Sequence, residues 1–145
     1  MKITSLGHVV LRVGNLERSE AFYSGVLGLP VCARLEKRDM VFFSLGNHHD
    51  FAIASVGDDA PRPQENTTGL AHVAFKIGDD IETLKKAKAE LEAANVEILR
   101  FVDHEVSKSI YMSDPDGNTV EVYIDASDSW KTDPQRVTHG EPLAI

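Results

Sequence analysis

Leu6-Gly7-His8-Val9-Val10-Leu11-Arg12-Val13-Gly14 recurs in altered form as Leu70-Ala71-His72-Val73-Ala74-Phe75-Lys76-Ile77-Gly78, with the two histidines 64 residues apart. Side chains alternate across a strand, so Val9, Leu11 and Val13 form one apolar face and Val73, Phe75 and Ile77 its counterpart. His8 and His72 fall on the opposite face. A third run, Thr119-Val120-Glu121-Val122-Tyr123-Ile124, repeats the alternation with Glu121 on the polar side. A duplicated strand that keeps a histidine in register points to one paired site. Two imidazoles and one carboxylate are the ligand set of the non-haem Fe(II) facial triad.

Working outward, each histidine strand opens a βαβββ pattern, which predicts an α+β fold of two such modules. In the first, Asn15 caps a helix over 16–27 that Gly28 and Pro30 stop, and strands follow at 31–37, 40–45 and 50–56. In the second, a helix over 80–94 ends at Asn95, and strands follow at 96–102, 107–113 and 119–124. Asp114-Pro115-Asp116-Gly117-Asn118 turns the chain before the last strand. The expected organisation is one domain over 1–125, with modules at about 3–57 and 69–125 and a linker over 58–68. Residues 126–145 contain Trp130, Val137, Leu143 and Ile145 and are expected to pack as an extended arm on the domain or on a partner subunit.

Composition narrows the function classes. Twenty-three acidic residues against 15 Lys and Arg give a formal charge of −8, which repels nucleic-acid phosphates and anionic lipid. No apolar run is long enough to span a bilayer, and no apolar segment follows Met1-Lys2-Ile3-Thr4-Ser5. The expectation is a cytoplasmic protein with no nucleic-acid or membrane partner. The single cysteine, Cys32, excludes an internal disulfide and reads as ordinary packing.

The paired His8 and His72 with Glu121 resemble the metal ligands of the vicinal oxygen chelate superfamily, which unites glyoxalases, bleomycin-resistance proteins and extradiol dioxygenases. The resemblance covers about residues 3–125 and implies that the two modules pair into a cupped mixed sheet around a metal site. Glyoxalase-type members add a fourth ligand from the last strand of the first module; in His49-Asp50-Phe51-Ala52-Ile53 the matching position is Ala52, which cannot ligate. The segment His48-His49 resembles the one that supplies the acid–base histidine of type I extradiol ring-cleaving dioxygenases, with His49 at the matching position. His104, in Asp103-His104-Glu105-Val106-Ser107-Lys108, and Tyr111 resemble the pair that branch places over its substrate. His48 is expected to be an exposed loop residue and His139 to face solvent.

This resemblance implies Fe(II), with Mn(II) as an alternative, held by His8, His72 and Glu121, and cleavage of a catecholic aromatic with O2. His49 would move protons, and Tyr111 and His104 would orient the diol. A homodimer is expected of the superfamily, and no other cofactor is implied. Two alternatives keep the fold: a glyoxalase-, epimerase- or thiol-transferase-like enzyme using a Lewis-acid metal, and a non-catalytic small-molecule-binding resistance protein.

Overall fold

The computed structural model describes residues 1–145 and divides them into two compact units, Met1–Arg62 and Pro63–Ile145. In the first, β1 (Val9–Val13) leads to α1 (Leu16–Glu20), then to β2 (Val31–Leu35), β3 (Met40–Phe43) and β4 (Phe51–Ser55). The sheet order is β1-β4-β3-β2, with β1 parallel to β4 and the other pairs antiparallel. The second unit repeats the plan with β5 (Val73–Gly78), α2 (Ile81–Ala93), β6 (Ile98–Asp103), β7 (Ser107–Ser113) and β8 (Thr119–Asp125), and adds β9 (Glu141–Pro142) beside β6. The α+β class and both βαβββ modules are thus as the sequence predicts.

Local chemistry accounts for the boundaries. Asn15 Oδ1 accepts from the Arg18 N–H at 2.9 Å, and Asp80 Oδ1 accepts from that of Thr83 at 2.9 Å, so each helix starts on a side-chain cap. The first helix is shorter than expected. Beyond Glu20 it widens into a π-helical segment, Ala21–Val26, with Leu27 N–H bonded five residues back to Phe22 O at 3.0 Å. Asn95 ends α2 region with φ 55°, the left-handed conformation that asparagine tolerates. In the turn before β8, Asp114 accepts from the N–H groups of Asp116 and Asn118 and from Asn118 Nδ2, while Gly117 takes φ 89°.

Each unit has its own core. Phe22, Tyr23, Phe43 and Phe51 pack edge to face or tilted, with Tyr23 and Phe51 centroids 4.9 Å apart, beside the buried Leu11 and Val13 of β1. In the second unit, Leu84 and Leu91 of α2 are buried, as are Ile110, Met112, Val120, Val122 and Ile124 of the sheet. Two expectations need correction. Cys32 is exposed rather than packed, its Sγ 4.0 Å from His48 O. The 126–145 segment is not simply extended: it forms two short 3-10 helices, Ser129–Lys131 and Pro134–Thr138, before β9. It folds on its own unit, where Lys88 Nζ reaches Ile145 O at 2.6 Å and Leu143 N–H reaches Phe101 O at 3.2 Å.

Candidate functional site

Register places the polar side chains of the second unit on one face. Ala74 pairs with Glu121, Glu121 with Tyr111, and Tyr111 with Arg100, and residues paired across a sheet share a face. Ser109 and His104 lie on this face by the same alternation. His72 stands immediately before β5 rather than inside it, as does His8 before β1. From there its Nε2 comes within 3.2 Å of Glu121 Oε2.

Glu121 is 6% exposed, and its buried carboxylate is satisfied by polar neighbours. Ser109 Oγ donates to Oε1 at 2.6 Å, and His72 Nε2 faces Oε2. Burial, then the Glu121 charge, push the Tyr111 phenol up to about 12, with Arg100 opposing, so it remains a hydroxyl at neutral pH. The Tyr111 oxygen also lies 3.0 Å from His104 Nε2. The other His104 nitrogen, Nδ1, is 2.7 Å from the carbonyl of His139. A carbonyl only accepts, so Nδ1 carries the hydrogen, and in the neutral ring Nε2 accepts from the Tyr111 hydroxyl. Residue 139 therefore sets the tautomer of His104 through its backbone.

In the first unit His8, His48 and His49 come together, one ring nitrogen of each lying within 4.8 Å of the others. The His8 and His49 rings are 4.1 Å apart between centroids, and Phe42 meets His49 edge-on at 5.2 Å. The loop is tied down by Asn47, whose Nδ2 donates to Gly7 O at 3.1 Å, and by Asp50, whose Oδ2 accepts from Leu45 N–H at 2.6 Å. Desolvation, then the charges of His8 and His48, hold the His49 pKa below its ordinary value and favour the neutral imidazole. His48 is exposed as expected, yet it belongs to this cluster.

The His72 and Glu121 pair fits a divalent ion on donor chemistry and spacing. Two ligands about 2.1 Å from one ion and at right angles lie about 3 Å apart, close to the 3.2 Å seen here. The two sheets also match in register around Glu121. Val9 pairs with Phe51 as Val73 pairs with Val120, so Ala52 occupies in the first unit the place of Glu121 in the second.

Residues 5–122 match the family described as the Glyoxalase/Bleomycin resistance protein/Dioxygenase superfamily. The chain belongs to this superfamily. A catechol-2,3-dioxygenase of Bacillus subtilis (strain 168) is 34% identical over 131 residues, 90% of this chain but 45% of that enzyme. The chain therefore spans less than half of that relative's length. A metallothiol transferase FosB of Lysinibacillus sphaericus (strain C3-41) is 30% identical over 125 residues, covering 85% of this chain and 84% of that one. Among solved structures, a glyoxalase family protein from Enterococcus faecalis aligns with TM-score 0.65 and 26% identity, over 85% of this chain and 99% of the other. The superfamily thus includes proteins of different activities at similar distance from this one.

Sequence reasoning passed over Ser109, Arg100 and the backbone of His139. Ser109 was accessible by alternation, since it precedes Tyr111 by two on a strand. Arg100 and His139 carry no local signal: one depends on strand register, the other on where the C-terminal segment folds. No helix is long and apolar enough to cross a membrane.

Proposed function

We propose that the protein is a metal-dependent dioxygenase of the extradiol type, in which His8, His72 and Glu121 hold one Fe(II), with Mn(II) as an alternative, and a catecholic aromatic is cleaved with O2. The observation that carries this reading is the buried Glu121 carboxylate, braced by Ser109 and 3.2 Å from His72 Nε2, in a position where the first unit has only Ala52. A carboxylate that ligates a metal is itself commonly held by a hydrogen bond, as Ser109 holds Glu121 beside the His72 imidazole. When bound, the ion supplies Lewis-acid and redox chemistry at positions left open by three protein ligands.

The chain's own residues then divide the remaining work. Ser109 fixes one Glu121 oxygen, leaving the other aimed at the ligand side. His49, neutral near pH 7 and stacked with His8, takes a proton from the diol and returns it to oxygen during ring opening. Tyr111 remains protonated, with its hydrogen held by His104, and orients the diol by accepting at its phenolic oxygen, so that His104 acts on the diol through Tyr111. Both atoms of O2 end in the ring-opened product. Homodimerisation belongs to this reading.

A second reading, a thiol-transferase- or glyoxalase-like enzyme with a Lewis-acid metal, draws on the match to the FosB protein, of which the chain covers 84%. Ala52 weighs against a four-ligand version of it. Metal analysis of anaerobically purified protein followed by O2 uptake with catechols separates the readings. Stoichiometric iron with O2 consumption and a coloured ring-fission product is the expected result. Zinc, nickel or manganese with no O2 uptake favours the second reading, and metal-free protein that still binds aromatics favours a non-catalytic binding role.

A further inference from the structure

We infer that Arg100 is the anion subsite of the Tyr111 and Glu121 face, and that the ligand taken there carries a carboxylate. The inference deepens the proposed catechol reading and takes the diol-binding role of that face from it. Four observations converge. The Arg100 guanidinium lies over the Tyr111 ring, Cζ 4.1 Å from its centroid, which holds it beside the group proposed to orient the diol. Register puts Arg100 in the same row as Tyr111 and Glu121, at the exposed end of that row.

The third observation is charge. The second unit contains eight Lys and Arg residues, and every one except Arg100 sits in an ion pair with a carboxylate: Lys76 with Asp79 and Asp125, Lys85 with Glu82, Lys86 with Glu90, Lys88 with Glu92, Lys108 with Asp103, Lys131 with Asp128, and Arg136 with Glu105. In a chain of net charge −8 with neighbours so uniformly paired, one cation beside the site with no carboxylate partner is available to an anionic ligand. The fourth is the comparison between units. Arg100 pairs with Tyr111 as Ala33 pairs with Phe42, each just after a register shift, so the scaffold position is filled equally well by a methyl group. The charge is not demanded by the fold.

One planar guanidinium matches one carboxylate through two parallel N–H···O bonds, and its single positive charge balances a singly charged oxyanion. A catechol with a short carboxylated side chain meets both requirements: the diol near Glu121 and Tyr111, the carboxylate at Arg100.

The test compares 3-(3,4-dihydroxyphenyl)propanoate with its methyl ester, whose saturated linker leaves the ring chemistry alike. Binding to metal-loaded protein is measured calorimetrically without O2, and kcat/KM by O2 uptake. The wild-type protein should favour the acid about tenfold in Kd, a preference that shrinks as salt is raised. Arg100→Gln should abolish the preference, and Arg100→Lys should restore part of it. Because Arg100 is exposed, the Gln variant should keep the wild-type Tm, which separates loss of the subsite from loss of the fold. Equal affinities in wild type, a preference that survives Arg100→Gln, or no binding of either compound would overturn the inference. An Arg100-dependent preference with no O2 uptake leaves the subsite standing and removes the dioxygenase reading instead.

Discussion

Two rows of side chains occupy equivalent places in the two units and have opposite character. In the first unit the row runs Val10, Ala52, Phe42, Ala33; in the second it runs Ala74, Glu121, Tyr111, Arg100. The backbone pairing is the same, down to the register shift before Ala33 and before Arg100. Each unit nevertheless keeps a histidine at the entrance of its first strand. His72 turns to Glu121, whereas His8, with an alanine at the matching place, meets His48 and His49 from a neighbouring loop. A duplicated scaffold can thus preserve its hydrophobic pattern while one copy carries the acidic and phenolic groups and the other a cluster of imidazoles.

Metal content tests this division most severely. Glu121→Ala should reduce bound iron to background and abolish O2 uptake, while His48→Ala should retain iron; elemental analysis of both variants decides. Iron that survives the first change and leaves with the second would put the metal on the His8, His48 and His49 cluster and invert the comparison. Next in size, His49→Ala should keep its iron and lose about 10²- to 10³-fold in kcat, measured under saturating catechol. Loss of iron in that variant would make His49 a ligand.

A smaller effect is expected at the His139, His104, Tyr111 chain. His104→Ala frees the Tyr111 hydroxyl from its acceptor, and should raise KM for the diol about tenfold while kcat falls less. Truncation before Pro134, which removes the His139 carbonyl and β9, should move KM in the same direction; an unchanged KM would show that the C-terminal segment does not set the tautomer.

The smallest effect contrasts the caps. Hydrogen bonds from Thr83 hold the Asp80 carboxyl below its ordinary pKa, whereas Asn15 caps the first helix without a charge. A depressed pKa stabilises the fold above the unfolded carboxylate value near ~4 and loses that contribution as pH falls through the folded value. Asp80→Asn should therefore lower Tm slightly at pH 7, and the difference should vanish in acid. A difference that persists at pH 2 would assign the effect to geometry.

Much of the architecture was legible along the chain because it rests on local rules. Alternation in 9–13, 73–78 and 119–124 identified the strands and their apolar faces, Asn15 announced the first helix, and the Asp114 to Asn118 turn announced β8. The π-helical widening after Glu20 escaped because the apolar spacing over 16–27 suits an ordinary helix, and the i to i−5 bond at Leu27 forms only in the folded segment. Candidate residues were legible where residue type and repeat position coincide, as for His8, His72 and Glu121. Their neighbours depend on which residue of one strand faces which of the next, and a single-residue slip would exchange every side chain between faces. Folding brought Ser109 against Glu121, laid Arg100 over Tyr111 and carried the His139 carbonyl to His104 across 35 positions of sequence. Periodicity belongs to the chain, but cross-strand register and long-range hydrogen bonds exist only once the sheet has closed on its partners.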